Sequence, residues 1–148
     1  EFNNINFIDF KDLDNSFKNF HFKSFKLRHP GDAFGYSLII KNKKFCYLLD
    51  NEFHNNQSTS LKDFCENSNS IIWDGMYTEQ ELKTKKGWGH SSIEQGLKFA
   101  EELDIGNLII SHHSPHRTDK ELNDLSEKYA NCNIKFASEN KSEKLWIE

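Results

Sequence analysis

One helix-to-strand unit constrains the fold of this chain more than any other stretch, GWGHSSIEQGLKFAEELDIGNLIISHHSP at residues 87–115. Ser92 and Gln95 have the spacing of a capping box, in which two side chains bind the free amides at a helix start. The helix that follows carries one apolar stripe, which consists of Ile93, Leu97, Ala100 and Leu103. Gly106 stands where helices commonly end, and the apolar run Leu108–Ile110 predicts a buried strand directly after it. A chain with such a unit packs helices against a sheet.

The residues before this unit predict strands first and then a mixture of strands and helices. Three strands are predicted by the apolar runs at Phe22–Leu27, Phe34–Lys41 and Phe45–Leu49. The polar sequence KNKK at residues 41–44 predicts the turn between the last two. A short helix is expected at Ser60–Ser68, and a buried strand is expected at Ser70–Trp73.

Two further capping boxes mark helix starts, Thr78 with Glu81 and Thr118 with Glu121. The helix after Thr118 places Leu122, Leu125 and Tyr129 on one face, and strands are predicted beyond it at Ile134–Ala137 and Leu145–Ile147. No linker or repeat interrupts the chain, so we predict a single domain over residues 1–148. Its fold class is α/β (α+β), a mixed sheet covered by helices.

Charge and composition narrow the functions that the chain can serve. A formal net charge of −4 argues against a broad non-specific nucleic-acid binder, because backbone phosphates attract a basic surface. No apolar run approaches the roughly 20 residues that span a bilayer, so no membrane partner is expected. The three cysteines are odd in number and widely spaced, which is typical of reduced thiols in a cytoplasmic protein.

Side chains that can bind metals follow four of the predicted strands. These residues are His29, Asp50, Asp74 and His112. In α/β sheets, ligand sites gather at the carboxyl edge, where rigid strands fix the side chains and loops leave space. Imidazole nitrogen and carboxylate oxygen are donors that zinc-like ions accept. Taken singly, each residue has a plainer interpretation, Asp50 as a turn former and His29, His113 and His116 as loop residues.

His90 differs because it lies in the turn GWGHSS, two residues before a helix N-cap. Helix N-termini attract anions through free N–H groups and the helix dipole, so His90 lies near a natural phosphate position. There it could act as an acid toward a phosphoryl oxygen, with Asp74 as the carboxylate that orients its ring. The alternative interpretation is that Asp74 caps a turn and His90 merely packs on Trp88.

These residues carry a resemblance to a known family. The segments LRHPGDAFGYSL, FCYLLDNE, IIWDGMYTEQELKTKKGWGHSSIEQ and LIISHHSP resemble, in order and spacing, the later motifs of metallo-β-lactamase-fold hydrolases. They look most like the phosphodiesterase branch that includes ribonuclease Z. The match runs from Phe22 to Asp119. It implies the C-terminal half of an αββα metallo-β-lactamase sandwich, in which helices cover the outer face of a mixed sheet.

The resemblance also implies a role for each site residue. His29, Asp50 and His112 match metal ligands of the family, with Asp50 shared between two ions. His90 matches the histidine that protonates the leaving group as a general acid, and Asp74 matches its acidic partner. Such an enzyme would cut a phosphodiester through metal-bound hydroxide. Zinc is the expected divalent metal, and manganese or iron would suit the same donors.

The chain departs from the family pattern in two places. Asn51 follows Asp50 where the family usually has a small hydroxyl residue. None of the seven histidines has the HxHxDH spacing that supplies three further histidine ligands in the family. Because the sequence begins with Glu1, we expect it to be the second half of a protein, with a missing N-terminal half that packs on an exposed apolar surface. Alone, it should bind metal weakly and hydrolyse little.

Other interpretations stay open at this point. A non-catalytic scaffold or regulatory protein of the same fold would lack the first-half ligands by nature, and a plain α/β binding domain would carry its histidines by accident. If the protein is an enzyme, the acidic balance favours a small phosphodiester or nucleotide substrate, with RNA as a further candidate. Hydrolysis of a non-phosphate ester ranks behind these. The Phe-rich opening NFIDFKDLDNSFKNFHF has no functional account.

Overall fold

A mixed sheet forms the frame of the protein, as the sequence predicts, and the described part of the chain contributes six strands to it. The computed structural model describes residues 20–129 and 133–140. The strands are Phe20–Leu27 (β1), Ala33–Ile40 (β2), Lys43–Leu48 (β3), Ser70–Asp74 (β4), Asn107–Ser111 (β5) and Ile134–Phe136 (β6). They lie side by side in chain order, and each agrees with its predicted strand to within two residues. The predicted strand Leu145–Ile147 and the Phe-rich opening up to residue 19 fall outside the described residues.

The first three strands form two antiparallel hairpins. Leu27 lies opposite Ala33 in the first hairpin, and Tyr36 lies opposite Tyr47 in the second. Lys41 and Asn42 have φ angles of 46° and 63°, the backbone of a two-residue turn whose twist matches that of the flanking strands. The predicted turn at residues 41–44 is therefore confirmed. Two reversals of direction leave β1 running the same way as β3.

The last four strands are parallel, so their carboxyl ends lie at one edge of the sheet. Leu48 pairs with Trp73, Trp73 pairs with Ile110, and Ile110 pairs with Phe136. Parallel neighbours need long crossover connections, which helices supply here. Because β1 runs parallel to β3, its carboxyl end reaches the same edge. This edge therefore collects the residues that follow β1, β3, β4 and β5.

Helices form part of the connections between the parallel strands. Within the described residues they are Ser58–Cys65 (α1), after a single 3-10 turn at Asn55–Gln57, then Glu79–Leu82 (α2), Ile93–Glu102 (α3) and Asp119–Tyr129 (α4). The three predicted capping boxes are confirmed, since Thr78, Ser92 and Thr118 each exchange hydrogen bonds with the residue three positions on. In the part of the chain that the structure describes, no helix is long and apolar enough to cross a membrane.

Two helix ends differ from their predictions. The helix predicted to reach Ser68 ends at Cys65, and α3 ends at Glu102 rather than near Gly106. Asp104, with φ 52°, takes the left-handed conformation that terminates α3, and the amide of Ile105 donates to the carbonyl of Ala100 at 2.9 Å. Aspartate tolerates this conformation better than most residues, so the chain turns before the glycine is reached.

The core lies between the helices and one face of the sheet. Its largest fully buried side chains include Trp73, Phe99, Leu48, Leu61, Ile71 and Ile93. Gly96 lets α3 approach β4 closely, because a Cβ atom there would lie 2.6 Å from Cδ1 of Trp73. The indole Nε1 of Trp73 donates to the carbonyl of Ser92 at 3.0 Å, so its burial leaves no donor unpaired. This contact fixes the N-terminus of α3 against the sheet.

The opposite face of the sheet is also apolar. Alternation along the strands and their pairing place Phe34, Leu38, Tyr47 and Ile72 on this face. Phe34 and Tyr47 are 46% and 42% exposed. None of these four residues belongs to the buried core cluster, which joins the helices to the other face. All described helices that contribute to the core therefore pack on one side of the sheet.

Candidate active site

The structure brings the five predicted site residues together at the carboxyl edge of the sheet. His29 follows β1, Asp50 follows β3, Asp74 ends β4 and His112 follows β5, with His90 in the turn before α3. Parallel strand direction explains this convergence, because strands separated by tens of residues in the chain end side by side.

The carboxylate of Asp50 lies at the centre of the group. Its Oδ1 atom is 3.5 Å from Nε2 of His112, 3.8 Å from Nε2 of His29 and 4.0 Å from Nδ1 of His90. The Asp50 side chain is 46% exposed, whereas those of His29 and His112 are about a quarter exposed, at 26% and 27%. The group is therefore open to a solute that arrives from solvent.

Two of these residues have unusual backbone conformations. Asp50 and His112 both have φ 57°, in the left-handed region that side chains with a Cβ rarely occupy. Such a conformation costs about 1 to 3 kcal/mol and persists only where the surrounding structure imposes it. Both strands thus turn sharply at their carboxyl ends, and each turn directs a donor side chain toward the shared edge.

The chemistry and spacing of these donors fit a divalent metal ion. Donors bound tetrahedrally to zinc at 2.0–2.1 Å lie about 3.3 Å from one another, close to the distances around Asp50. Asp50, Asp74, His90 and His112 have donor atoms that all lie within 4.8 Å of one another. His29 is outside that group of four and approaches it through Asp50. Asp74 and His90 bind each other, and the remaining donors of this edge, those of Asp50, His112 and His29, are the ones that the resemblance implies as metal ligands.

The imidazole of His90 is bound to a buried carboxylate. Its Nδ1 lies 2.9 Å from Oδ2 of Asp74, and a carboxylate can only accept, so Nδ1 carries the proton. The Asp74 carboxylate also accepts from the amides of Asn51 at 3.2 Å and Met76 at 3.3 Å. The hydrogen bond to Asp74 raises the pKa of His90; burial opposes this rise, and the charges of Asp74, Asp50 and Glu52 add to it.

Other rings surround His90. Its centroid lies 4.9 Å from that of His112, 5.5 Å from His29 and 6.1 Å from Tyr77. Trp88, in contrast, is 57% exposed, with Nζ of Lys85 lying 4.0 Å from its ring centroid. The alternative in which His90 merely packs on Trp88 thus has no contact to support it. The other part of that alternative holds, since Asp74 also caps the turn at Met76.

Sequence reasoning missed three residues that lie behind these side chains, Asn51, Glu52 and Ser91. Asn51, buried with 1% exposure, accepts from the amide of Arg28 through Oδ1 at 3.3 Å and so ties the end of β1 to the end of β3. Ser91 accepts from the amide of Phe53 at 3.0 Å and donates to the carbonyl of Asn51. Glu52 accepts from two amides of the glycine-rich turn. The signal that could have revealed Glu52 is this turn, whose backbone amides need acceptors.

The two remaining histidines near β5 lie apart from this group. His116 is an exposed residue of the loop after β5, in agreement with its plainer interpretation as a loop residue. His113 is half-buried instead of exposed, because its ring stacks on Phe136 at 5.7 Å and its Nε2 lies 3.3 Å from the carbonyl of Ala137. Burial is the main cause that lowers the pKa of His113. Its contacts are those of a packing residue.

Comparison with known proteins identifies the fold. No protein-family profile matches the sequence, and no curated protein matches it. Solved structures do match: the chain has the metallo-β-lactamase fold, as the resemblance implies. It superposes on human tRNase Z, short form, with 19% identity and a TM-score of 0.69, over 89% of this chain and 46% of that one.

Two bacterial structures give similar superpositions. The metallo-β-lactamase fold protein YhfI from Bacillus subtilis matches with 16% identity and a TM-score of 0.66, over 82% of this chain and 48% of that one. The isothiocyanate hydrolase from Delia radicum gut bacteria matches with 17% identity and a TM-score of 0.63, over 86% of this chain and 56% of that one. This chain spans roughly half the length of each of these three solved structures.

Proposed function

We propose that this chain carries part of the active site of a metal-dependent hydrolase, and that the bond it cleaves is a phosphodiester. One observation carries the proposal. Nitrogen atoms of His29 and His112 approach the same carboxylate oxygen of Asp50, directly beside the hydrogen-bonded pair of His90 and Asp74. A set of donors for an ion next to an oriented proton donor is the arrangement that metal-assisted hydrolysis requires.

His29, Asp50 and His112 would hold the metal, with zinc as the expected ion and manganese or iron as alternatives. When bound, such an ion lowers the pKa of a water molecule and offsets negative charge on a phosphoryl oxygen. The protein holds these three side chains on strand ends, so little conformational freedom is lost when they take up a ligand. Asp50, whose carboxylate has two oxygens, is the one residue of the three able to bridge two ions.

His90 would act as the general acid. Because Nδ1 donates to Asp74, the ring is held with Nε2 turned away from that carboxylate. The raised pKa keeps the ring protonated to a higher pH than an ordinary histidine, so Nε2 can donate its proton to the oxygen of the leaving group. Asp74 stabilises the protonated ring and fixes its orientation, and it takes no part in the bond cleavage itself.

The substrate is proposed to be a small phosphodiester or a nucleotide, with RNA as a further candidate. Negative phosphate is favoured next to His90, which lies two residues before the N-cap of α3. The net charge of −4 gives no broad basic surface to grip a long nucleic acid. Hydrolysis of a non-phosphate ester would have less need of a protonated His90 at the leaving group.

Three ligands are fewer than two zinc ions require, since each commonly takes about four. We therefore propose that residues 1–148 form the second half of an αββα domain and that a first half supplies further donors. The apolar sheet face that carries Phe34 and Tyr47 offers a surface for that half to pack on. A scaffold protein that lacks those donors by nature is the alternative outcome.

The test uses the protein expressed from the complete gene. We expect bound divalent metal by elemental analysis and hydrolysis of bis(p-nitrophenyl) phosphate. His90→Ala should keep the metal and lower turnover about 100-fold or more, the usual scale of general acid catalysis. His21→Ala is the matched control, because His21 is an exposed residue of β1 near the opposite end of that strand. Protein that holds no metal and cleaves no ester would contradict the proposal and favour the scaffold.

A further inference from the structure

We propose that Glu52 is a positioning residue, whose buried carboxylate fastens the turn that carries His90 to the loop that carries Asp50. This proposal rests on the proposed function in one respect, namely that His90 acts as the general acid. The fastening itself is a property of the chain and can be tested without metal or substrate.

Both oxygens of the Glu52 carboxylate accept backbone hydrogen bonds from the glycine-rich turn. Oε1 lies 2.9 Å from the amide nitrogen of Gly87, and Oε2 lies 3.0 Å from that of Gly89. Glu52 is 8% exposed and Gly89 is buried, so the bond between them forms away from bulk water, whereas the bond to the exposed Gly87 is partly buried. Hydrogen bonds to a charged acceptor are about twice as strong as those between neutral groups. One side chain thus holds the turn at two points.

The turn depends on this acceptor because of its backbone. Gly87 and Gly89 have φ angles of +85° and +89°, a conformation that continues neither a helix nor a strand. Their amides therefore lack the partners that regular structure would give them, and for a buried amide such as that of Gly89 the lack of a partner costs about 1 to 3 kcal/mol. Glu52 supplies both partners from outside the turn.

The position of Glu52 in the chain makes this fastening relevant to the site. It stands two residues after Asp50, and its own amide donates to the carbonyl of Arg28 at 2.8 Å, next to His29. Gly89 directly precedes His90. Glu52 therefore joins three site loops, those that carry His29, Asp50 and His90, and it sets how far apart their side chains stand.

A second connection runs beside the first. Ser91, on the other side of His90, binds the carbonyl of Asn51 and the amide of Phe53 through one hydroxyl. Hydrogen bonds thus hold the chain on both sides of His90, to Glu52 before it and from Ser91 after it. Movement of His90 relative to Asp50 requires one of these sets of hydrogen bonds to break.

Direct participation of Glu52 in metal binding is the competing role. Each of its oxygens already faces an amide at hydrogen-bond distance, and Glu52 is not a member of the four-residue donor group around Asp50. Its backbone amide also binds the carbonyl of Arg28, so both its side chain and its main chain are engaged in holding loops together. Both observations favour a role through His90 over a role on a metal.

The test compares Glu52→Gln with Glu101→Gln in the metal-free protein expressed from the complete gene, by ¹⁵N NMR at one fixed pH. A glutamine side chain offers one acceptor and one donor, so one of the two glycine amides would face a donor. We expect the amide proton of the buried Gly89 to exchange about tenfold or more faster, that of the exposed Gly87 to change less, and the Nδ1 proton of His90 to broaden or vanish. Glu101, an exposed residue of α3, should change neither signal when replaced. Unchanged signals in Glu52→Gln would overturn the proposal.

A second variant covers the case in which Glu52→Gln does not fold. Glu52→Asp keeps the charge and shortens the side chain, so it should release one amide and weaken the His90 signal less. If both variants lose the whole folded spectrum, Glu52 serves the stability of the entire chain and the positioning role is wrong. If the His90 signal changes as expected while the protein from the complete gene cleaves no phosphodiester, the proposed function fails and the positioning role stands.

Discussion

The Nδ1 atom of His90 lies 2.9 Å from an oxygen of Asp74, a carboxylate with no exposed surface. A buried carboxylate is costly unless hydrogen bonds and a counter-charge compensate it. Three N–H groups converge on Asp74, from the ring of His90 and from the amides of Asn51 and Met76. Asp74 thus orients a titratable ring and at the same time connects the ends of β3 and β4.

Replacement of Asp74 should separate these two roles. Asp74→Ala leaves one buried and two part-buried donors without an acceptor and should lower the free energy of unfolding by about 3 kcal/mol. Asp74→Asn keeps two of the three contacts through its amide oxygen and should cost less, yet it removes the charge that favours a protonated His90. We expect urea denaturation to rank Asp74→Ala below Asp74→Asn. Equal stabilities would show that the three contacts contribute little.

Metal binding by this chain should depend on Asp50. With three donors the chain is expected to bind zinc weakly, and Asp50→Asn removes the charge that both histidines face. The affinity should fall by more than the roughly 10-fold to 100-fold that loss of an outer contact to a ligand costs. Isothermal titration calorimetry with zinc measures this, with Asp32→Asn as the control. Asp32 is an exposed aspartate paired with Lys26, and its replacement should leave the affinity unchanged.

Asp50 directly follows an apolar strand, and residues in such positions are the ones that sequence reasoning can predict. An apolar strand followed by a polar residue is a local pattern, and parallel strands that end at one edge bring such residues together. His29, Asp50, Asp74 and His112 were therefore predictable as a group. The capping residues Thr78, Ser92 and Thr118 were predictable for the same reason, since each pattern spans only four residues.

Glu52 and Ser91 were not predictable in this way. Their partners lie 35 to 40 residues away in the chain, and no local pattern marks a side chain that accepts from a distant backbone. The prediction of where α3 ends was wrong for a different reason. Asp104 adopts a left-handed backbone that a sequence pattern would assign to Gly106, and the packing of Ile105 against the core decides between them.

A pH-dependent contribution to stability is expected at Glu81. Burial raises the pKa of Glu81, but hydrogen bonds from Thr78 and the ion pair with Arg117 outweigh it, so the pKa lies below its ordinary value. A carboxyl with a depressed pKa adds stability above its unfolded pKa and loses it as the pH falls through the folded one. At pH 7, Glu81→Gln should therefore cost at most about 1 kcal/mol, because the side chain is partly exposed.

This difference between Glu81→Gln and the unchanged chain should shrink as the pH falls below the ordinary glutamate pKa of about 4.3, and it should disappear once the pH is also below the depressed folded pKa, where the carboxyl is protonated in both states. Urea midpoints measured at pH 7 and in acid give the comparison. Glu79→Gln is the control, because Glu79 is an exposed residue of the same short helix. A difference that grows in acid would contradict the assigned sign.

The two glycines of the turn before α3 offer a matched pair of substitutions. Gly87 and Gly89 have nearly the same φ, +85° and +89°, so alanine at either position costs about 1 kcal/mol or more in backbone strain. Their surroundings differ. A Cβ atom at Gly87 meets nothing within 4 Å, whereas one at Gly89 would lie 2.3 Å from Cδ2 of His29 and 2.7 Å from Cδ of Pro30.

Gly89→Ala should therefore be the more damaging change, because it must displace the ring of His29 in addition to straining the turn. We expect its urea midpoint to fall below that of Gly87→Ala, and its zinc affinity to fall further still if His29 is a ligand. Gly87→Ala should lose stability and keep most of its zinc affinity. If the two variants bind zinc equally well while Gly89→Ala remains folded, the ring of His29 is not held in place by this turn, and the close contact between the two loops has no bearing on the metal.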